Sequence, residues 1–321
     1  MHGSGCCCSP WSPATLCAGA RLPGAGAGEP ERGCRYPDRM RRGRTMRVLV
    51  DRLRQGEWRR SPDEVVVEEP LEIRLDGHMV ATTMRTPGND YELAAGFCAG
   101  DGLLGAAAVT GVRYCGEGPA AEFEYNVVTV ETGARAPVPT PRLGNVSAAC
   151  GICGSTTITD MAARLGPLAG THRFSFDAVD AALAAVPGTQ EMFGRTGGLH
   201  AAATFDADGR IDVAREDIGR HNAVDKVIGR RLLDGRDDAA AMALFVSGRA
   251  SFEMVQKAWA AGIGTLIAVS APSSLAIESA RAAAITLAGF ARGHELNVYS
   301  GSLAGVPERL GETPAAVSAN T

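Results

Sequence analysis

The sequence predicts an α/β protein, α+β overall, with a smaller β-rich N-terminal domain and a C-terminal three-layer α/β domain. Three observations carry that expectation. The second half alternates short apolar strands with helical segments of about 10–15 residues, the rhythm of βαβ units whose sheet is covered on both faces. The first half instead pairs alternating strands across turn signals. A length of 321 residues also exceeds the roughly 100–200 residues of one domain.

Residues 1–45 come first. They carry seven Arg, no Lys and three acidic residues, and are broken by Pro10, Pro13, Pro23, Pro30 and Pro37. A signal peptide needs an apolar core of about 7–15 residues, which is missing. The prolines also forbid the amphipathic helix of a transit peptide. The segment reads as a disordered leader, with Met40 and Met46 as alternative starts.

The N-terminal domain is expected over 46–170. Val65–Leu75 reads as a strand, Asp76-Gly77 as a turn, and a second strand runs through Met84. Pro87-Gly88-Asn89-Asp90 stops it and opens a helix with Leu93, Ala94, Phe97 and Cys98 on one face. Phe123, Tyr125 and Val127 alternate with polar residues, as in a half-buried strand. Pro137, Pro139 and Pro141 mark an extended loop leading to Gly144–Gly154, and a helix follows from Ser155 to Leu165.

The C-terminal domain is expected over 171–311. Strands Leu199–Phe205 and Arg210–Ala214 flank the Asp208-Gly209 turn. A helix from Gly219 to Leu233, a strand Met242–Val246 and a helix Ala250–Ala260 follow. Strand Thr265–Val269, helix Ser273–Ala284 and strands Thr286–Phe290 and Leu296–Tyr299 complete it. Residues 312–321 are small and polar, a frayed tail.

Composition removes several classes of function. A net charge of −4 with 21% charged residues excludes a strongly basic nucleic-acid binder and an acidic disordered chain. Aromatics at 5% do not furnish a stacking surface for single strands. No window approaches 18 uninterrupted apolar residues, so a membrane helix is not expected. A cytoplasmic protein without nucleic-acid or membrane partners is the expectation.

The chemistry concentrates in two places. Cys150-Gly151-Ile152-Cys153-Gly154 sets two thiols at i and i+3 just before a helix, where backbone N–H groups favour a thiolate. Four readings of that pair stand open: a nucleophilic or sulfur-carrying thiolate (the favoured one), a zinc site, a thioredoxin-type redox pair, and two buried cysteines. Zinc needs a second pair of ligands, and Cys98 and Cys115 match poorly. The redox pair normally follows a strand, whereas here a Pro-rich loop precedes.

The other place is a series of strand-to-helix junctions. Arg220-His221-Asn222 opens one helix, Ser247-Gly248-Arg249 the next, Ser270-Ala271-Pro272 a third, and Phe290-Ala291-Arg292-Gly293-His294-Glu295 closes a strand. In open α/β sheets ligands bind beyond the carboxyl ends of strands, where helix starts offer N–H donors to phosphate. Ordinary capping by Asp217, Ser251 and Ser273 is the competing reading. His221 and Asp225, at i and i+4, can pair for proton transfer, while His78, His172 and His200 show no partner. Phosphate-loop and dinucleotide fingerprints are absent in the required context.

Several stretches together resemble a known family, the FdhD/NarQ accessory sulfurtransferases of formate dehydrogenase, over about Arg47 to Val306. They are EEPLEIRLDG, ATTMRTPGNDYELAAGF, CGIC, EDIGRHNAVDKVIG, SGRASFEMVQKAWAAGI, SAPSSLAIESA and LAGFARGHELNVYSG. The resemblance implies a cytidine-deaminase-like second domain, without the deaminase zinc signature. It implies a persulfide on Cys150 with Cys153 as its partner, sulfur drawn from a cysteine desulfurase, and delivery to a molybdenum (or tungsten) bis-guanine-dinucleotide cofactor that makes formate dehydrogenase active. Phe290 to Glu295 match the region that holds this cargo, for which GDP-like nucleotides are possible mimics. A homodimer is implied, and no structural metal. The alternative is a non-catalytic chaperone that holds the cofactor and docks on the catalytic subunit of the dehydrogenase.

Overall fold

A computed structural model describes residues 43–114, 126–139 and 154–306. Cys150, Cys153, Cys115, Phe123, Tyr125, the leader up to residue 42 and the tail 312–321 lie outside the described residues. Two ten-residue strands, β1 (Thr45–Arg54) and β2 (Glu57–Val66), form an antiparallel hairpin turned at Gln55-Gly56. The sequence reading ran one strand through Val65–Leu75. Instead, β2 ends at Val66, and β3 (Glu69–Leu75) starts a separate sheet with β4 (His78–Arg85), β5 (Gly111–Tyr114) and β6 (Val127–Glu131). Its order is β4-β3-β6-β5, with β3 and β6 parallel. Of the expected strand Phe123–Val127, the residues up to Tyr125 lie outside the described residues, and Val127 begins β6.

Helix α1 (Asp90–Gly100) covers this sheet with Leu93, Ala94 and Phe97 against Leu71, Ile73, Leu75, Val112, Val128 and Val130. The sequence pattern gave α1 one apolar face, but the helix is buried nearly all round, Asp90 and Glu92 included. Buried carboxylates need partners, and both have them. Arg85 binds Asp90 at 2.9 Å, and Arg215 binds Glu92 at 2.5 Å.

The larger sheet holds β7 (His200–Phe205), β8 (Ile211–Asp217), β9 (Ala243–Val246), β10 (Thr265–Ala268), β11 (Thr286–Arg292) and β12 (Glu295–Ser300), in the order β12-β11-β10-β9-β7-β8. β9, β10 and β11 are parallel, while β7 runs against β9 and against β8. Each central strand is buried on both faces, and its alternate residues enter two cores. Leu244, Val246, Leu266, Ala268 and Leu287 meet helices α5 (Arg220–Leu233), α6 (Phe252–Ala260) and α7 (Ser274–Ala282). Ala243, Phe245, Ile267 and Ala288 meet Phe174, Ala178, Val179 and Ala182 around α3 (Phe176–Ala185) on the other face. The expected three layers are present.

Three details depart from the expected boundaries. Arg44 and Thr45, placed in the leader, already bond into the fold. Arg44 Nε donates to the Pro87 carbonyl (3.1 Å), and Thr45 Oγ1 donates to Glu64 (2.5 Å). Helix α2 (Gly154–Leu165), placed in the N-terminal domain, packs Met161, Ala162 and Leu165 into the α5–α7 core. Helices α3 and α4 (Glu191–Thr196) lie outside the sequence expectation, because α3 is Ala-rich and α4, at six residues, is too short to show a helical period.

Candidate functional site

The carboxyl ends of β8, β9, β10 and β11 all face one edge of the larger sheet, and the start of β7 arrives beside them. Backbone bonds stitch the loops there. Ser270 N donates to the Gly248 carbonyl (3.3 Å), and Phe290 N donates to the Ser270 carbonyl (3.2 Å). Ser247 N donates to the Ala201 carbonyl, and its hydroxyl accepts from Ala201 N, both at 2.9 Å. The four segments singled out in the sequence therefore meet along one edge, since parallel strands send every junction the same way.

Beneath this edge lies a cavity of about 730 Å³ between the sheet and α3. Leu183, Val186, Phe245 and Val269 make it largely apolar. Ser247, Ala291, Arg292, Gly293 and His294 line it, as do Asp180, Phe193 and His200, which the sequence reading did not select. The sequence offers His200 no partner, but the fold supplies one. Its Nδ1 stands 3.5 Å from Ser247 Oγ, and Gly248 lies close to its ring. Burial, then the neighbouring charges of Arg220 and His221, push the His200 imidazole below its ordinary range.

The rim is cationic. Burial and the charge of Arg249 both work against the Arg220 guanidinium, which places two arginines in one field. Arg249, Arg292 and His294 are exposed, as are Phe290 and Glu295. The β11–β12 turn holds Phe290, Gly293 and His294 at positive φ (54°, 53° and 67°), a conformation that costs non-glycine residues about 1–3 kcal/mol. His294 Nδ1 reaches Asp180 Oδ2 at 2.8 Å and ties this turn to α3.

In the stretch from Glu216 to Lys226, Arg220 belongs to this rim, while the other polar side chains turn to protein partners. Glu216 accepts from Met192 N (3.1 Å) and Phe193 N (2.7 Å), so its carboxylate caps α4 and holds Phe193 at the cavity. Asp217 and Lys226 form a fully buried pair at 2.6 Å, and Lys226 also donates to the Thr86 carbonyl at 3.0 Å. Asn222 donates to the Met84 carbonyl (2.7 Å) and to Asp217 (2.9 Å), so its amide sits in the joint between the two sheets' units. The expected His221–Asp225 pair does not form. His221 binds Glu253, and Asp225 binds Lys257 at 2.7 Å. Burial pushes Glu253 up, but the hydrogen bond from His221 and the charges of His221, Lys257 and Arg220 outweigh it and hold the carboxyl low. Of the expected helix caps, Ser273 accepts from Ala276 N (3.2 Å), whereas Ser251 makes no side-chain cap bond.

Cys98 is fully buried in α1, and burial pushes its thiol up. It is an inert core residue. Among the described residues no three His, Cys, Asp or Glu side chains gather as a metal site, and no helix is long and apolar enough to cross a membrane.

A doubly covered α/β sheet, with arginines and a cavity at the edge where its strands end and a smaller sheet unit docked on it, defines a two-part α/β protein. The chain belongs to the FdhD/NarQ family, whose model matches residues 66–304. It is 47% identical over 269 residues to the sulfur carrier protein FdhD of Nocardia farcinica, covering 80% of this chain and 94% of that one. It is 46% identical to the protein of the same name in Anaeromyxobacter dehalogenans, over 78% of this chain and 90% of that one. Its fold matches the crystal structure of a proposed formate dehydrogenase accessory protein from Desulfotalea psychrophila, with a TM-score of 0.64 and 24% identity, over 81% of this chain and 98% of that one.

Proposed function

We propose that this protein carries sulfur in the maturation of formate dehydrogenase, taking it from a cysteine desulfurase and delivering it to the molybdenum bis-guanine-dinucleotide cofactor as cargo. The observation that carries the reading is the convergence of four strand ends on one cationic edge above a nucleotide-sized cavity. Relatives named sulfur carrier proteins support it. Arg220, Arg249 and Arg292 supply charge-assisted hydrogen bonds to pyrophosphate. The dehydrogenase's catalytic subunit receives the loaded cofactor.

The sulfur step balances on the two thiols of Cys150 and Cys153. The Cys150 thiolate attacks the outer sulfur of the desulfurase persulfide. That S–S bond breaks, the desulfurase keeps its thiolate, and Cys150 holds the persulfide with no net redox change. The Cys153 thiolate then attacks Cys150 Sγ and forms a disulfide, releasing the outer sulfur as hydrosulfide. Hydrosulfide replaces an oxo ligand of the metal, and the oxygen leaves as water on the hydrosulfide's proton and one from solvent. A dithiol reductant returns the cysteine pair to thiols.

Intact-protein mass spectrometry after incubation with a cysteine desulfurase and cysteine tests this. One added sulfur atom is expected on the wild type and none on Cys150→Ala. Full activation of formate dehydrogenase by both Cys150→Ala and Cys153→Ala would leave only the chaperone role. We also read the chain as a homodimer. The support is the β1–β2 hairpin, whose one face exposes Leu49, Leu53 and Trp58 in alternation with the opposite-charge cross-strand pairs Arg47/Glu64 and Asp51/Arg60. Light scattering on Leu53→Lys/Trp58→Lys should then report a monomer.

A further inference from the structure

One group in the cavity conflicts with a site built only for phosphate. Asp180, on α3, lines the same cavity as His200, Arg292 and His294. A carboxylate repels a polyanion, so beyond its bond to His294 it suits a part of the ligand that offers hydrogen-bond donors. Two further features indicate a planar ring system. Phe193 lines the cavity yet leaves 43% of its surface exposed, and the neighbouring walls at Leu183, Val186, Phe245 and Val269 are apolar. Large pockets of this kind use apolar walls for affinity and a few polar groups for orientation.

We propose that Asp180 is the specificity-determining residue for guanine, its carboxylate accepting from the N1–H and the N2 amino group while the base lies against Phe193. The inference rests on the function proposed above. Among the common nucleobases only guanine presents two adjacent donors on its Watson–Crick edge; adenine presents one donor and one acceptor. A carboxylate accepts through about four lone-pair sites, so the 2.8 Å bond from His294 leaves acceptor capacity on both oxygens while it orients the group. Glu216, by capping α4, keeps Phe193 in place.

Calorimetric titration of the full-length protein with GDP, IDP, ADP and xanthosine diphosphate tests the assignment, in wild type and Asp180→Asn. The wild type should bind GDP best, with IDP weaker by about 10-fold for the lost amino donor. Asp180→Asn should lose GDP affinity by about 10- to 150-fold. It should gain xanthosine diphosphate, whose C2 carbonyl accepts from the new amide. A misfolded variant cannot produce that gain. Equal binding of GDP and ADP by the wild type, or unchanged GDP affinity in Asp180→Asn, would overturn the role of Asp180 and leave the nucleotide site standing. Wild-type protein that binds none of the four would remove the nucleotide site and this inference with it.

Discussion

Gly96 of α1 and Gly229 of α5 lie back to back where their helices cross. A Cβ on Gly96 would fall 1.8 Å from the Asp225 carbonyl oxygen, and one on Gly229 would fall 1.8 Å from that of Glu92. The contact is reciprocal and entirely backbone, so no flexible side chain can give way. It joins the helix of the small sheet to the helix that opens beside the cavity. Gly96→Ala or Gly229→Ala should therefore cost at least about 3 kcal/mol, the upper end for overpacking. At this size that is a fall in Tm of roughly 6–12 °C, read by scanning calorimetry. A fall under one degree would mean the helices can separate freely.

The Asp217–Lys226 pair makes a second joint between the units, at 2.6 Å and out of contact with solvent. Removing one partner strands the other charge, so Asp217→Leu or Lys226→Met alone should destabilise by about 3–5 kcal/mol. The double variant should cost less than either single one, since no buried charge remains. Urea unfolding of all four proteins measures the coupling.

His200 links stability to pH. Its imidazole is held below the ordinary value of 6.5, by burial first and then by Arg220 and His221. Below about pH 6.5 the unfolded chain takes up a proton that folded His200 refuses, so stability falls as pH drops through that window. Above it both forms are neutral and the contribution is complete. The ring should titrate below 6.5 by NMR. His200→Asn should flatten the pH dependence of unfolding below about pH 6.5.

Arg249→Ala and Arg292→Ala should each weaken GDP binding by about 1.5–3 kcal/mol if each makes a charge-assisted phosphate contact, roughly 10- to 150-fold in Kd. Both side chains are exposed, so melting temperatures should not move. Persulfide formation on Cys150 should be unaffected, which separates cargo binding from sulfur loading. Wild-type affinity in both variants would remove them from the site.

Much of the larger sheet was legible because its strands are short apolar runs between Gly-, Ser- and Pro-containing junctions. Their alternation with helices sets the parallel order that brings Arg220, Ser247, Ser270 and Arg292 to one edge. The β1 strand was not legible. Its apolar residues Met46, Leu49 and Leu53 stay exposed while Val48, Val50 and Arg52 are half-buried, so apolar and polar residues do not sort by face, and pairing with β2 defines it.

The sequence by itself determined the two-part α/β plan, the chain's family and the segments that end the strands of the larger sheet, because periodicity and turn chemistry are local properties. Only the tertiary structure decided where polar groups point. Helix α5 lies between α1 and the larger sheet, so the polar density from Glu216 to Lys226 divides. Glu216 caps α4, Asp217, Asn222 and Lys226 lock the two units together, and Asp225 turns to Lys257. Asp180 on α3, Phe193 on α4 and His200 at the start of β7, distant in sequence from the junction motifs, meet at one cavity because α3 packs across the face of the sheet opposite α5 and Glu216 holds α4 beside it. A hydrogen-bonding residue declares its chemistry in the sequence, but its partner is chosen by packing.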